Sequence, residues 1–142
     1  MPADVQSIRP AKSETRCWRP LFASPVPAGF PSPADDYIER SLDLNEHLIK
    51  HPAATFFVRA SGDSMVGSIH SGDLLVVDRA KEAANGSIVI AVIDGELTVK
   101  RLCKRGNSIS LESDNPSYAP LAVNEESDVA IWGVVTNVIH PV

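Results

Sequence analysis

From residue 54 onward the chain alternates between short, β-rich apolar runs and turn residues. Thr55-Phe56-Phe57-Val58-Arg59 reads as a first strand, and Asp73 to Asp78 (DLLVVD), introduced by Ser71-Gly72, as a second. Ser87 to Ile93 (SIVIAVI) and Glu96 to Leu102 (ELTVKRL) flank Asp94-Gly95. An Asp-Gly pair between two such runs predicts a hairpin with a two-residue turn, because both central residues of that turn need positive φ. The turn sets the register: Ile93 faces Glu96, Val92 faces Leu97 and Val89 faces Lys100. Ser108 to Leu111 gives a further strand and Val129 to Ile139 a last long one. Many short strands separated by turn signals predict a compact, mainly β, barrel-like domain.

Before residue 54 the pattern differs. Pro2, Pro10, Pro20, Pro25, Pro27, Pro31 and Pro33, most of the chain's 11 prolines, precede residue 34. This stretch has neither helical nor strand periodicity and reads as an extended N-terminal arm, lightly pinned by Trp18, Leu21 and Phe22. Two short N-terminal helices follow. Ser32-Pro33-Ala34-Asp35 has a capping serine with proline at the first helical position, predicting a helix to about Arg40. Asp43-Leu44-Asn45-Glu46 repeats the capping pattern, and that helix must end before Pro52. The expected organisation is an arm over residues 1–33 and one domain over 34–142.

Composition narrows the function. With 142 residues, 44% of them hydrophobic, the chain can bury one core. A net charge of −5 and the lack of a basic helix argue against extensive direct DNA binding. No apolar run of membrane-spanning length occurs, and Met1 to Arg19 lacks the apolar centre of a secretory signal, so a cytoplasmic protein is expected. Cys17 and Cys103 then read as free thiols.

One candidate nucleophile stands out. In Ala60-Ser61-Gly62-Asp63-Ser64-Met65 a strand ends, Gly62 permits a sharp turn, and Ser64 falls at the sheet rim, where a side chain is held yet reachable. Serine needs a base. His47 and His51 read as second-helix residues, His70 as a turn residue and His140 as terminal, and no spacing marks any of them as a partner. Nor do His47 and His51, four apart, make a metal site without a third ligand. Lysine is the alternative. Its pKa must fall by roughly 3 units to act as base at neutral pH, a desolvation cost of about 4 kcal/mol. Lys100 stands mid-hairpin opposite Val89, whereas Lys50, Lys81 and Lys104 sit in polar or terminal contexts. A serine in a Gly-Asp turn is commonly only a turn residue, and a strand lysine usually faces solvent, so residue types leave both readings open.

The motifs add a resemblance. Ala60-Ser61-Gly62-Asp63-Ser64-Met65, Gly72-Asp73-Leu74-Leu75-Val76-Val77-Asp78, Asp94-Gly95-Glu96-Leu97-Thr98-Val99-Lys100 and Gly133-Val134-Val135 resemble the UmuD-type proteins of the SOS mutagenesis response. That family is similar to LexA-type self-cleaving repressors in its C-terminal domain and to signal peptidases in its catalytic core. The resemblance covers about Gly29 to Val142. It implies a serine–lysine peptidase with Ser64 as nucleophile, Lys100 as general base and no cofactor or metal. It also implies a cut between a small residue and glycine, here Ala28 and Gly29. Backbone N–H groups near Asp63 and Ser64 are the expected oxyanion donors. Pro25, Pro27 and Pro31 favour the extended backbone that a protease cleft binds. Ala28 stands where some relatives carry cysteine.

The same resemblance implies partners: a homodimer, a RecA–single-stranded DNA filament that stimulates cleavage, and an error-prone Y-family polymerase subunit of the UmuC type. Two other readings compete. A LexA- or phage-repressor-like transcription regulator needs an N-terminal helix-turn-helix, which the proline-broken arm does not offer. A non-catalytic polymerase interaction module needs no dyad at all. The Val- and Ile-rich last strand is expected to be an interface edge if the protein dimerises.

Overall fold

The structure, a computed structural model, describes residues 4–11, 18–22 and 38–142. It divides into two compact units, residues 51–142 together with 1–12, and residues 13–50.

The larger unit is an antiparallel β domain. Its strands are β1 (Asp4–Pro10), β4 (Thr55–Ser61), β5 (Leu74–Asp78), β6 (Ile88–Ile93), β7 (Glu96–Arg105), β8 (Ser108–Glu112), β9 (Leu121–Val123) and β10 (Val129–Ile139). They pair in the order β1-β4-β5-β10-β6-β7-β8-β9, and β1 also meets β7 at Asp4–Thr98. The first six strands therefore close on themselves through that one residue pair, and the mainly β expectation holds. The β6–β7 hairpin has the register read from its turn, with Ile93 opposite Glu96, Val92 opposite Leu97 and Val89 opposite Lys100. Asp94 and Gly95 adopt φ 51° and 81°, as that turn requires.

The core follows from strand alternation. Val58, Ala60, Leu75, Val77, Ile90 and Val99 form one buried cluster with Met65 and Ile69. Val89, Ala91, Leu102, Leu111 and Val134 form a second. Successive β6 residues feed different clusters, so this strand is covered on both faces. At Gly133, where the β6–β10 register shifts, an added Cβ would come within 2.6 Å of Val77 Cγ1. Glycine is needed there for close approach of two strands.

The structure refines one expectation and corrects two. The last strand is not outermost in the sheet order: β10 pairs with β6 over Val129–Val134 and with β5 over Val134–Ile139, so away from Val134 each half is paired with a described strand on one side only. Ile131 and Ile139 on it are exposed. Secondly, the helix expected up to Arg40 is not formed over its described part. Ile38–Asp43 is a strand (β3) paired antiparallel with Trp18–Phe22 (β2) in the smaller unit. Cross-strand pairing overrides the local capping signal there, and residues 32–37 lie outside the described residues. Thirdly, the arm is extended but not merely pinned. Its residues 4–10 form β1, a full partner of β4.

The second helix is present as α1 (Leu44–Leu48), in the smaller unit, with the Asp43 carboxylate accepting from the Asn45 N–H at 3.0 Å. It ends before His51. His51 belongs to the larger unit, where its Nδ1 lies 2.5 Å from the buried Asp78 carboxylate. Among the described residues no helix is long and apolar enough to cross a membrane. Cys103 is a free thiol, its pKa pushed up chiefly by burial, and Cys17 lies outside the described residues.

Candidate active site

Ser64 opens the loop between β4 and β5. Gly62, at φ 83°, turns the chain sharply after the strand, a conformation that residues with a Cβ avoid. Met65 and Ile69, both fully buried, then anchor the loop in the core. The Ser68 and Ile69 N–H groups donate to the Met65 carbonyl at 3.0 and 2.8 Å, so the segment after Ser64 is a tight turn of backbone. Ser64 itself is fully buried. This corrects the expectation of a reachable rim position.

A segment that sequence reasoning passed over meets the Ser64 loop. After β8 the chain runs Ser113-Asp114-Asn115-Pro116-Ser117-Tyr118, and this turn lies against the Ser64 loop. The Asn115 N–H donates to the Ser64 carbonyl at 2.9 Å, and the Asn115 side chain donates to the Asp63 carbonyl at 3.1 Å. The Tyr118 hydroxyl donates to the Asp63 carboxylate at 2.5 Å. That hydrogen bond is the main reason the Asp63 carboxyl is held below the usual aspartate range. The signal available in the sequence was a polar Asn-Pro turn directly after a strand.

Lys100 reaches the same turn from β7. Half-buried, it donates from Nζ to Ser113 Oγ at 2.7 Å, and its Nζ lies 5.7 Å from the centre of the Tyr118 ring. Its cross-strand neighbour is the fully buried Val89. The structure thus brings Ser64 and Lys100 to one short turn: Asn115 holds the backbone of the serine, and Ser113, two residues earlier, receives the amine of the lysine. Lys50, Lys81 and Lys104 are exposed, in keeping with solvated charges. Asp63 flanks the serine, bonded at its carbonyl and its carboxylate as above. Ala28 and Gly29 lie outside the described residues.

A second lock joins the two loops. The Arg101 guanidinium grips the Asp114 carboxylate with two parallel hydrogen bonds, Nε to Oδ1 at 2.8 Å and Nη2 to Oδ2 at 2.9 Å, while Nη1 donates to the Gly86 carbonyl. The Ser68 hydroxyl also donates to Asp114. Bidentate guanidinium–carboxylate pairs combine charge with fixed geometry. Arg101 is the first cause of the lowered Asp114 pKa, with burial opposing it. Replacing Arg101 with Ala should cost about 1–3 kcal/mol of stability by leaving a part-buried carboxylate underpaired, measured as a fall in thermal midpoint. The pair's contribution should be full above the ordinary aspartate range near pH 3.9. It should fade as pH drops through the lower folded value, so the wild-type advantage should shrink in acid. An unchanged midpoint at neutral pH would show that the lock is not structural.

A model of the family described as Peptidase S24-like matches residues 20–136. The chain belongs to the Peptidase S24-like family. It is 55% identical to Protein ImpA of Salmonella typhimurium over 86% of this chain and 83% of that protein. It is 52% identical to Protein SamA of Salmonella typhimurium over 94% of this chain and 93% of that one. A LexA repressor of Shewanella denitrificans is 38% identical, over 99% of this chain and 69% of the repressor. The UmuD-type resemblance read from the serine and lysine motifs is borne out, and the S24-like chain is a self-cleaving serine peptidase in kind, related to SOS proteins.

Proposed function

We propose that Ser64 and Lys100 form the catalytic dyad of this S24-like protein and that it cuts its own Ala28–Gly29 bond. The observation that carries the reading is the Ser113–Tyr118 turn, which holds the Ser64 backbone through Asn115 and the Lys100 amine through Ser113. In the neutral form Lys100 takes the Ser64 hydroxyl proton as Oγ attacks the Ala28 carbonyl carbon. Backbone N–H groups at Asp63 and Ser64 stabilise the oxyanion. The Lys100 ammonium then gives its proton to the leaving Gly29 nitrogen as the peptide bond breaks. Water hydrolyses the Ala28–Ser64 ester, restoring the serine and leaving Ala28 as a carboxylate. The chain between Gly29 and Ser64 is long enough for the bond to reach its own site or a dimer partner's.

The reaction is slow alone and is stimulated by a RecA–single-stranded DNA filament. The trimmed chain, as a cytoplasmic homodimer, then serves as accessory subunit of an error-prone Y-family polymerase of the UmuC type in translesion synthesis. Support for this part comes from the SOS-related relatives and the residue motifs.

The test of this reading starts the chain at Gly29 and carries Ser64→Ala, in a cell lacking the native protein. Damage-induced mutagenesis should be restored, because the dyad acts only in maturation. If mutagenesis is lost while the variant accumulates normally, the peptidase acts continuously and the accessory-subunit reading is wrong.

A further inference from the structure

Outside the dyad, His70, Asp73 and His140 gather at one point of the larger unit, each offering a ligand atom within 4.8 Å of the others. Asp73 and His140 are 67 residues apart in sequence, which is why spacing gave no sign of the group. The centre of the group is built. Asp73 is only 1% exposed. Its backbone N–H donates to the His70 carbonyl at 3.0 Å, and its own carbonyl accepts from the Ala60 N–H at 2.9 Å, fixing it against β4. One carboxylate oxygen, Oδ2, accepts from the His70 backbone N–H at 2.8 Å and lies 3.7 Å from His70 Nδ1. The other, Oδ1, lies 2.6 Å from His140 Nδ1. The two imidazole rings face each other with centroids 4.6 Å apart and planes 33° from parallel. Among the described residues, Asp73's ion-pair partners are these two histidines.

We propose that His70, Asp73 and His140 bind a divalent transition-metal ion of the zinc class, with water completing the coordination. Two imidazoles and one carboxylate are a donor set that zinc, cobalt and nickel accept. Metal–ligand bonds of about 2.0–2.2 Å in a tetrahedral site put ligand atoms about 3.3 Å apart. The His70–Asp73 separation of 3.7 Å is close to that. The 2.6 Å His140–Asp73 contact is a hydrogen bond that the ion replaces by a small outward swing of a half-exposed ring. Both histidines are half-exposed, so the ion can enter from solvent, while the carboxylate is held in place beneath them. Once bound, the ion ties the loop that begins at Ser64 to the residue that follows β10. Metal binding is independent of the Ser64 and Lys100 chemistry.

The experiment uses the full wild-type chain without an affinity tag, stripped with chelator and titrated with Zn²⁺ and with Co²⁺. One equivalent should bind per chain, and bound Co²⁺ should show the intense visible bands of a four-coordinate ion. His70→Ala and His140→Ala should each weaken Zn²⁺ binding at least about tenfold, whereas His47→Ala and His51→Ala should not. Circular dichroism checks that each variant is folded. A readout on the wild-type chain needs no variant: Zn²⁺ should shift the imidazole NMR signals of His70 and His140 and leave those of His47 and His51 in place. The proposal fails if the His70→Ala/His140→Ala double variant binds Zn²⁺ as tightly as wild type, if other histidines shift instead, or if the wild type binds neither ion.

Discussion

Replacing Lys100 with Ala should slow self-cleavage at Ala28–Gly29 by roughly 10²–10⁴-fold, the usual worth of a positioned general base. Ser64→Ala should leave no product at all, since no other group then forms the ester. Lys100→Arg should fail as well, because a guanidinium stays charged and cannot take the proton. These losses are separable from misfolding. Ser64→Ala removes one hydroxyl, and Lys100 is half-buried beside Ser113 rather than part of the apolar clusters. Circular dichroism and thermal midpoint should therefore stay near wild type while cleavage disappears. Ser113→Ala is the informative neighbour: it removes an acceptor of the Lys100 amine and should slow cleavage without abolishing it. A Lys100→Ala chain that is folded and cleaves at the wild-type rate would remove lysine from the mechanism.

The second large effect concerns what the cut takes away. A chain beginning at Gly29 lacks β1 and β2. Without β1, the pairing of β4 from Phe56 to Ser61 with the arm is lost, and the six-strand closure opens between β4 and β7. Val5 and Ile8 of β1 also pack against the first core cluster. Losing two half-buried aliphatic side chains is expected to cost about 1–3 kcal/mol. Backbone amide exchange should accelerate at least about tenfold at the β4 positions that face β1, while the side of β4 paired with β5 stays protected. The comparison is between full-length and Gly29-onward chains, both carrying Ser64→Ala so that neither changes during the measurement. Equal exchange along β4 would mean that β1 contributes nothing to the fold. Trimming in this sense changes a closed sheet into one with a bare edge strand, a backbone surface able to accept a strand from another protein.

How much of this was legible beforehand depended on the range of the interaction involved. The β6–β7 hairpin could be read to the residue, because a two-residue Asp-Gly turn fixes register locally and so put Lys100 opposite Val89. The helix at Asp43 was legible for the same reason: its cap is a contact between near neighbours. The strands of the arm were not. β1 has no strong alternation of its own and is extended because β4 offers it an unpaired edge, and β3 is a strand because β2 pairs with it. The candidate site divides the same way. Ser64 and Lys100 were found from local motifs, but the turn that holds the serine's backbone and receives the lysine is supplied by residues after β8, and no local pattern assigns them that task. Likewise the meeting of His70 with His140 on Asp73 is a product of topology alone.

The most direct measurement is the intact mass of the purified chain, followed over time across a pH series from neutral to about 10, the ordinary lysine range. A neutral lysine base makes the rate rise about tenfold per pH unit until the amine is deprotonated, then level off. The products should be residues 1–28 and 29–142, and the Ser64→Ala chain should stay whole at every pH. Cleavage at another bond, or a Ser64→Ala chain that is cut at the wild-type rate, would contradict the dyad.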